Sequence, residues 1–358
     1  MTASRGRRDG VRERAVLHVE RDSVESDRTS QRRYAEASAR VRVRVPAKVN
    51  LFLAVRGLRD DGYHELVSIM QTVGIHDTVT VELEGGESTC RHPAVRRFME
   101  LRFSHDGGDG VPDDESNLAV RAARLLMQRT GTGTADPRDR DGAPDAVPAT
   151  RVELAKRIPV AAGMAGGSAD AAATLVALNR LWECGLDRDE LRVLAAELGA
   201  DVPFCVTGGT ALATGTGTAT AQVLARGPFH WVVGMSDDPL STPEVYRVFD
   251  EVGRPTEREP DAVLQALRTG DSEALGDALH NDLEVAAFTL RPGLEAARDA
   301  FLAEGALGAV VSGSGPTIVA LAENERHARD LADAVGDRFD RVEVASSPAA
   351  GPDVADLR

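Results

Sequence analysis

The chain has 358 residues, 42% of them hydrophobic and 28% charged, and a net charge of −15. That length suits two domains of ordinary size with a sizeable core. An acidic chain with no basic stripe is a poor partner for nucleic acid, no apolar run reaches the roughly 18 residues a membrane span needs, and no basic, apolar N-terminal stretch marks a secretory signal.

Residues 1–45 hold 12 Arg against 7 Asp and Glu, a local net of +5 that leaves −20 on the remainder. Residues 1–40 are rich in Arg, Ser and Glu without an apolar period, which predicts a disordered basic extension. Val41, Arg42, Val43, Arg44 and Val45 alternate strictly, so a strand is predicted at 41–45, ended by Pro46. A second strand is predicted at 51–55, a Gly- and Asp-rich turn at 57–62 and a third strand at 78–83. Residues 84–116 read as irregular, with 90–99 as a surface insertion. A helix is predicted over 117–128, with Leu118, Ala122, Leu125 and Leu126 on one face. Residues 130–148, mostly Gly, Thr, Pro, Asp and Arg, read as a mobile connection. A short strand at 151–154 leads into a Gly-rich loop and a helix over 169–182, whose Leu175, Leu178 and Trp182 recur at helical spacing. Another helix follows at 189–198, with Gly199 suited to stop it. A strand at 231–235 opens the second half. Helices are predicted near 243–250, 260–268, 272–279 and 291–303, then a strand, a Gly-rich turn and a strand over 308–321, a helix over 324–336 and a last strand at 341–344. No internal repeat is present.

Cys90, Cys184 and Cys205 lie far apart and form no CxxC pair, which argues against a zinc site or a disulfide framework and for cytoplasmic thiols. The eight His form no HxxxH or HxH pattern, so no protein-held transition metal is expected.

Two features point toward chemistry. The first is the loop Pro159-Val160-Ala161-Ala162-Gly163-Met164-Ala165-Gly166-Gly167-Ser168-Ala169, set between a strand and an Ala-rich helix. Glycines let a backbone approach a ligand closely, and a helix N-terminus offers unpaired N–H groups to an anion, with phosphate the natural occupant. Ser168 would cap the helix or meet a phosphate or its Mg²⁺. A tight turn packing small residues on a sheet would use the same glycines. The loop is neither the GxxxxGK[ST] type nor a dinucleotide fingerprint. The second feature is that Lys48 and Lys156 are the only two Lys beside 40 Arg. Lys is a compact point charge where Arg is a planar fork, so both positions are candidates for needing the point charge.

The segment from Pro159 to Ala169 resembles the second motif of the GHMP kinases, the family of galactokinase, homoserine kinase, mevalonate kinase and phosphomevalonate kinase. Val311-Ser312-Gly313-Ser314-Gly315-Pro316-Thr317 resembles their third motif and Val45-Pro46-Ala47-Lys48-Val49-Asn50-Leu51 their first. The likeness runs over roughly 42–345 and weakens across 86–112 and 130–148. One departure is Ala162, where the family loop often has Gly; Ala tolerates negative φ, so activity is expected to survive. The resemblance implies an α+β fold of two domains, 41–225 and 226–346, with the active site in the cleft between them and a flexible tail over 347–358.

Asp60-Asp61-Gly62-Tyr63-His64-Glu65-Leu66, Gly199-Ala200-Asp201-Val202-Pro203-Phe204 and Asn281-Asp282-Leu283-Glu284 are similar to one branch of the family. Its acceptor is a cytidine diphosphate sugar alcohol, phosphorylated on the 2-hydroxyl in the methylerythritol phosphate route to isoprenoid precursors. Homoserine or mevalonate is the alternative acceptor. The resemblance implies Asp201 as base and Lys48 as the cation polarising the hydroxyl. It implies Asn50, Tyr63, His64 and Tyr246 at the acceptor, and the 159–169 loop with Asn117 and Lys156 at ATP. Core packing competes for Tyr246, a structural role for His64, and Gly313, Ser314 and Gly315 would shape the floor. Mg²⁺ would travel on ATP, with Ser168 as the protein group near it. The expected partners are small molecules, without nucleic acid or membrane, in a cytoplasmic monomer or homodimer.

Overall fold

A computed structural model describes residues 17–19, 39–84, 99–133 and 149–357. Most of the expected basic extension, the insertion before Met99 and most of the 130–148 connection lie outside the described residues. The strands of the first half are β1 (Leu17–Val19), β2 (Arg40–Leu58), β3 (His64–Glu84), β4 (Glu100–His105) and β5 (Ala149–Ala155). Between β4 and β5 lies α1 (Leu118–Thr130); after β5 come α2 (Gly166–Leu181), α3 (Arg188–Ala196) and α4 (Val202–Thr207). A hairpin, β6 (Thr210–Gly215) and β7 (Ala219–Gln222), completes this half.

The second half runs β8 (Phe229–Met235), α5 (Thr242–Val252), α6 (Asp261–Thr269), α7 (Ser272–Ala278), β9 (His280–Asn281), α8 (Glu284–Leu290) and α9 (Gly293–Ala303). It ends with β10 (Gly308–Val311), β11 (Ile318–Ala322), α10 (Glu325–Val335), β12 (Arg341–Ser347) and β13 (Asp353–Leu357). The first sheet has the order β1-β4-β5-β3-β2-β13, with β6 on β3, β7 on β6 and β9 on β2. The second is antiparallel, in the order β10-β11-β8-β12.

Several expectations are corrected. Pro46 does not end a strand: β2 continues for 19 residues and pairs with β3 throughout, with a register shift between Pro46 and Ala47. A bulge is where a strand tolerates a residue without an N–H. Residues 84–116 are not irregular throughout, because β4 lies parallel beside β5. Residues 17–19 of the supposed extension form a strand parallel to β4. Residues 347–358 are not a flexible tail: β13 pairs antiparallel with Arg40–Arg44 of β2, which would otherwise be an open strand edge.

Local sequence accounts for the helix starts. Asn117 caps α1, Asp187 and Glu190 form a reciprocal capping box on α3, and Asn324 caps α10. The helix α2 is buried round most of its circumference, with Ala169, Ala171, Ala172 and Ala173 fully enclosed; small side chains let it lie closely on β2 and β3. The second sheet separates two cores. Phe229, Trp231 and Val233 of β8 face the core shared with the first sheet, while Val232 faces the core of α5, α8, α9 and α10. The two halves therefore share apolar surface across the boundary expected at 225/226. No helix among the described residues is long and apolar enough to cross a membrane.

Candidate active site

Lys48 and Asn50 are two residues apart on β2 and so project from one face of it. Lys48 is 6% exposed. Its Nζ donates to Asn50 Oδ1 at 2.6 Å and lies 3.5 Å from Asp201 Oδ2. Asn50 Nδ2 donates to Ser68 Oγ at 2.8 Å, and Ser68 Oγ donates to the Phe52 carbonyl. The amide of Asn50 is thereby fixed with its oxygen toward the ammonium. Asp201 stands at the N-cap of α4, where an Asp would ordinarily accept a first-turn N–H. It makes no such bond. Pro203, in the first turn, has no N–H to give, and the carboxylate turns to Lys48 instead.

The 159–169 loop and the Gly-rich turn over 311–317 meet around this pair. The main-chain N–H of Lys48 donates to the Met164 carbonyl at 3.2 Å. Ser312 Oγ donates to the Gly163 carbonyl at 3.0 Å and accepts from the Asn50 N–H at 3.4 Å. Gly163 has φ +74°, and a Cβ there would fall 2.0 Å from the Ser312 carbonyl oxygen. The other left-handed residues of the loop are Ala161 (φ 51°) and Ala165 (φ 54°); Ala162, where the family favours Gly, is not among them. Within the loop Val160, Ala161 and Gly167 are exposed, Pro159 and Ser168 half-buried, and Ala162, Met164, Gly166 and Ala169 buried. No side chain caps α2, so its first-turn N–H groups can serve an anion.

Asn117 serves its own helix. Its Oδ1 accepts from the Ala119 N–H at 2.9 Å and its Nδ2 donates to the Pro112 carbonyl at 2.8 Å. Lys156, expected at the nucleotide, is turned inward: its ammonium bonds to both Asp77 and Asp170, and its side chain is 7% exposed. Burial makes an unpaired ammonium costly, which is why the carboxylates hold it.

The aromatics expected at the acceptor come from both halves. His64, at the start of β3, is 2.8 Å through Nε2 from Asp250 Oδ1 of α5, and its ring stacks on Tyr246 with centroids 4.9 Å apart. Burial pushes the Tyr246 hydroxyl pKa up, and the charge of Asp201 pushes it the same way, so its hydroxyl feels that carboxylate. Tyr63 is 68% exposed.

Sequence reasoning quoted Asn281 and Glu284 in a motif without giving them a role, and it missed Thr242, Asp77 and Asp170. Asn281 Nδ2 donates to the carbonyls of Val311 and Gly313 at 2.8 and 2.7 Å, and Glu284 Oε1 accepts from the Val311 N–H at 2.9 Å. The Asn281–Glu284 segment thus holds the Gly-rich turn over 311–317. Thr242 Oγ1 lies 2.8 Å from Ser314 Oγ. Asp170 directly follows Ala169 in the chain, and Asp77 carries no local signal.

A GHMP kinases N terminal domain model matches residues 117–209 and a GHMP kinases C terminal model matches 263–341. The 4-diphosphocytidyl-2-C-methyl-D-erythritol kinase of Mycolicibacterium smegmatis is 44% identical over 322 residues, 88% of this chain and 92% of that protein. The protein of the same name from Salinispora tropica is 45% identical over 323 residues, 88% and 94% of the two chains. A crystal structure of 4-(cytidine 5'-diphospho)-2C-methyl-D-erythritol kinase superposes with a TM-score of 0.66 at 34% identity, covering 85% of this chain and 98% of the other. A homoserine kinase from Cytophaga hutchinsonii superposes with a TM-score of 0.65 at 19% identity, over 88% and 97% of the two chains, a likeness of fold.

Proposed function

The chain belongs to the GHMP kinases, and we propose that it transfers the γ-phosphoryl group of ATP to the 2-hydroxyl of 4-diphosphocytidyl-2-C-methyl-D-erythritol, a step toward isoprenoid precursors. The observation that carries this reading is 44–45% identity, over most of the chain, to enzymes named for that acceptor. The homoserine kinase likeness, at 19% identity, speaks for the fold alone.

Phosphoryl transfer depends on positioning and charge stabilisation more than on covalent chemistry. In this reading Asp201 takes the proton of the acceptor hydroxyl, and Lys48 opposes the negative charge that develops as oxygen attacks. Their 3.5 Å separation and the short bond from Lys48 to Asn50 support those roles. The 159–169 loop and the start of α2 receive the triphosphate. The Ser168 hydroxyl, at the start of α2, would be the protein group nearest a Mg²⁺ carried on ATP, which would supply charge neutralisation to the phosphates. Asn117 acts through α1, whose Leu118 lies against the start of α2: a Cβ on Gly167 would be 3.6 Å from Leu118 Cδ1. One face of Tyr246 is taken by His64, and the exposed Tyr63 offers an open ring for cytosine. The buried Cys205 thiol suits a reducing compartment, and the proposed setting is the cytoplasm, as a monomer or homodimer.

The test is ADP release with three acceptors in parallel: the cytidine diphosphate sugar alcohol, homoserine and mevalonate. Turnover with the first alone is expected. Turnover with either of the others, and none with the first, would overturn the acceptor assignment.

A further inference from the structure

Lys156 lies in a buried charge cluster that no step above uses. Asp77 of β3 is fully buried, and Asp170 of α2 is 3% exposed. Both carboxylates face the Lys156 ammonium, Asp170 Oδ2 at 2.8 Å. The second oxygen of Asp77 accepts the N–H groups of Arg157 and Ile158 at 2.5 and 2.9 Å. Asp170 is less well satisfied, since its Oδ1 is buried without a hydrogen-bond partner. Burial holds the Asp170 carboxyl well above the usual carboxylate range against the pull of Lys156, and the charge of Asp77 adds to the rise. Burial works against the Lys156 charge, but Asp170 and Asp77 outweigh it and raise its pKa.

The cluster holds both ends of one loop. At the entry, Asp77 fixes the N–H groups of Arg157 and Ile158. At the exit, Asp170 lies in the first turns of α2. The ammonium sits under the first residue of that helix: a Cβ on Gly166 would be 3.2 Å from Lys156 Nζ. The Lys156 stem is covered in turn, because a Cβ on Gly107 would be 2.7 Å from its Cγ. With its ammonium shared between two carboxylates and its stem covered, Lys156 is directed away from a ligand on the outer side of the loop.

We propose that Lys156 is a positioning residue: the Asp77–Lys156–Asp170 cluster ties the entry of the 159–169 loop to its exit and so sets the loop's grip on the nucleotide phosphates, without touching the nucleotide. This rests on the ATP-kinase reading above. It differs from a direct role in a measurable way. Removing the ammonium leaves two buried carboxylates without a cation, so that they must share a proton and the tie through Lys156 is lost. Asn in place of Asp170 then leaves a single carboxylate, to which the new amide can donate.

The experiment compares wild type, Lys156→Met and the double variant Lys156→Met/Asp170→Asn. It reads equilibrium affinity for ATP without acceptor, KM for each substrate and melting temperature. Lys156→Met is expected to weaken ATP binding about tenfold or more with the acceptor KM within about twofold, and the double variant to return to within about threefold of wild type. A double variant as weak as Lys156→Met would overturn the proposal, because the ammonium would then touch the nucleotide. So would a lowered melting temperature with ATP affinity unchanged. If Lys156→Met does not fold, Lys156→Arg keeps the question open to decision: its wider head group should weaken ATP binding more than about threefold with the acceptor KM unmoved, and unaltered ATP affinity overturns the proposal. Affinity for ATP is read without acceptor, so failure to phosphorylate the cytidine diphosphate acceptor sinks the acceptor reading alone.

Discussion

Lys48 and Lys156 persist in a chain with 40 Arg, and their surroundings give two different reasons. Lys48 is 6% exposed, 2.6 Å from Asn50 Oδ1 and 3.5 Å from Asp201 Oδ2, which leaves room for a compact ammonium and none for a planar fork. Lys48→Arg should therefore lower turnover about a hundredfold at saturating ATP and acceptor, because misplacement of ~1 Å can cost that much. Circular dichroism would check folding, and more than about half of wild-type turnover would make Lys48 a bystander. Asp201→Asn keeps the size and loses the base; turnover should fall ~10²–10⁴-fold while ATP still binds. Glu284 allows a test by pH. Burial raises its pKa, against the pull of the Val311 N–H and of the Arg298 charge. A carboxyl whose folded pKa is raised contributes stability below the unfolded value, and that contribution is lost as pH rises through the folded value. Glu284→Gln keeps an acceptor for the Val311 N–H and cannot ionise. The variant should match wild type near about pH 4 and melt higher than wild type near about pH 7. A variant that melts lower at the higher pH would mean that the ion pair with Arg298 dominates.

Among elements, the loop over 159–169 is fixed by its contact with the Gly-rich turn over 311–317 more than by its own conformation. Ala161 and Ala165 already carry positive φ, so backbone strain is tolerated there. Gly163 is different, because an added methyl would meet the Ser312 carbonyl oxygen at 2.0 Å, and that atom is backbone. Gly163→Ala should lower stability by ~2 kcal/mol or more and should reduce turnover, since the displaced turn carries the Ser312 hydroxyl that accepts from Asn50. An unchanged denaturation midpoint would sink this. The same contrast explains what was legible in the sequence. The valine alternation at 41–45, the Gly-rich loop and the helices with Asp187, Asn324 or Asn117 at their starts carry local signals. Lys48 and Asp201 were singled out through motifs around each of them, and they lie 3.5 Å apart. What the sequence hid is long-range. Lys156 finds its partners 79 and 14 residues away, and no spacing rule points to Asp77. Pro46 looked like a terminator because a bulge supplied by the partner strand is invisible in one segment. The short helices α4 and α8 are too brief for a period to emerge.

At the scale of the whole molecule, the last turn of chain ties the two sheets together at Ser347. Trp231 Nε1 of the second sheet donates to Ser347 Oγ at 2.7 Å, and Ser347 Oγ donates to Gln71 Oε1 of the first at 2.5 Å. Thr72 of β3 then exchanges bonds with Ala349: its hydroxyl donates to the Ala349 carbonyl at 2.6 Å, and the Ala349 N–H donates to the Thr72 carbonyl at 3.0 Å. Gly351 lies against α4, the helix that Asp201 begins: a Cβ on Gly351 would fall 2.3 Å from the Thr207 carbonyl oxygen. Beyond it β13 covers the edge of β2. The side chains of β13 are mostly exposed, so its contribution comes from main-chain bonds. The Arg180–Asp356 pair at its end is solvent-exposed, and such pairs contribute little. A chain ending at Ser347 loses the Thr72 bonds and the β13 ladder and exposes the N–H and C=O groups of Arg40–Arg44. At about 1 kcal/mol for each net hydrogen bond, several such losses should lower the melting temperature by about 5 °C or more. Because Gly351 backs α4, turnover should fall as well, with the acceptor KM rising. A thermal melt decides it: a truncated protein with the wild-type transition would mean that the Thr72–Ala349 bonds and β13 add nothing measurable to the stability of the fold.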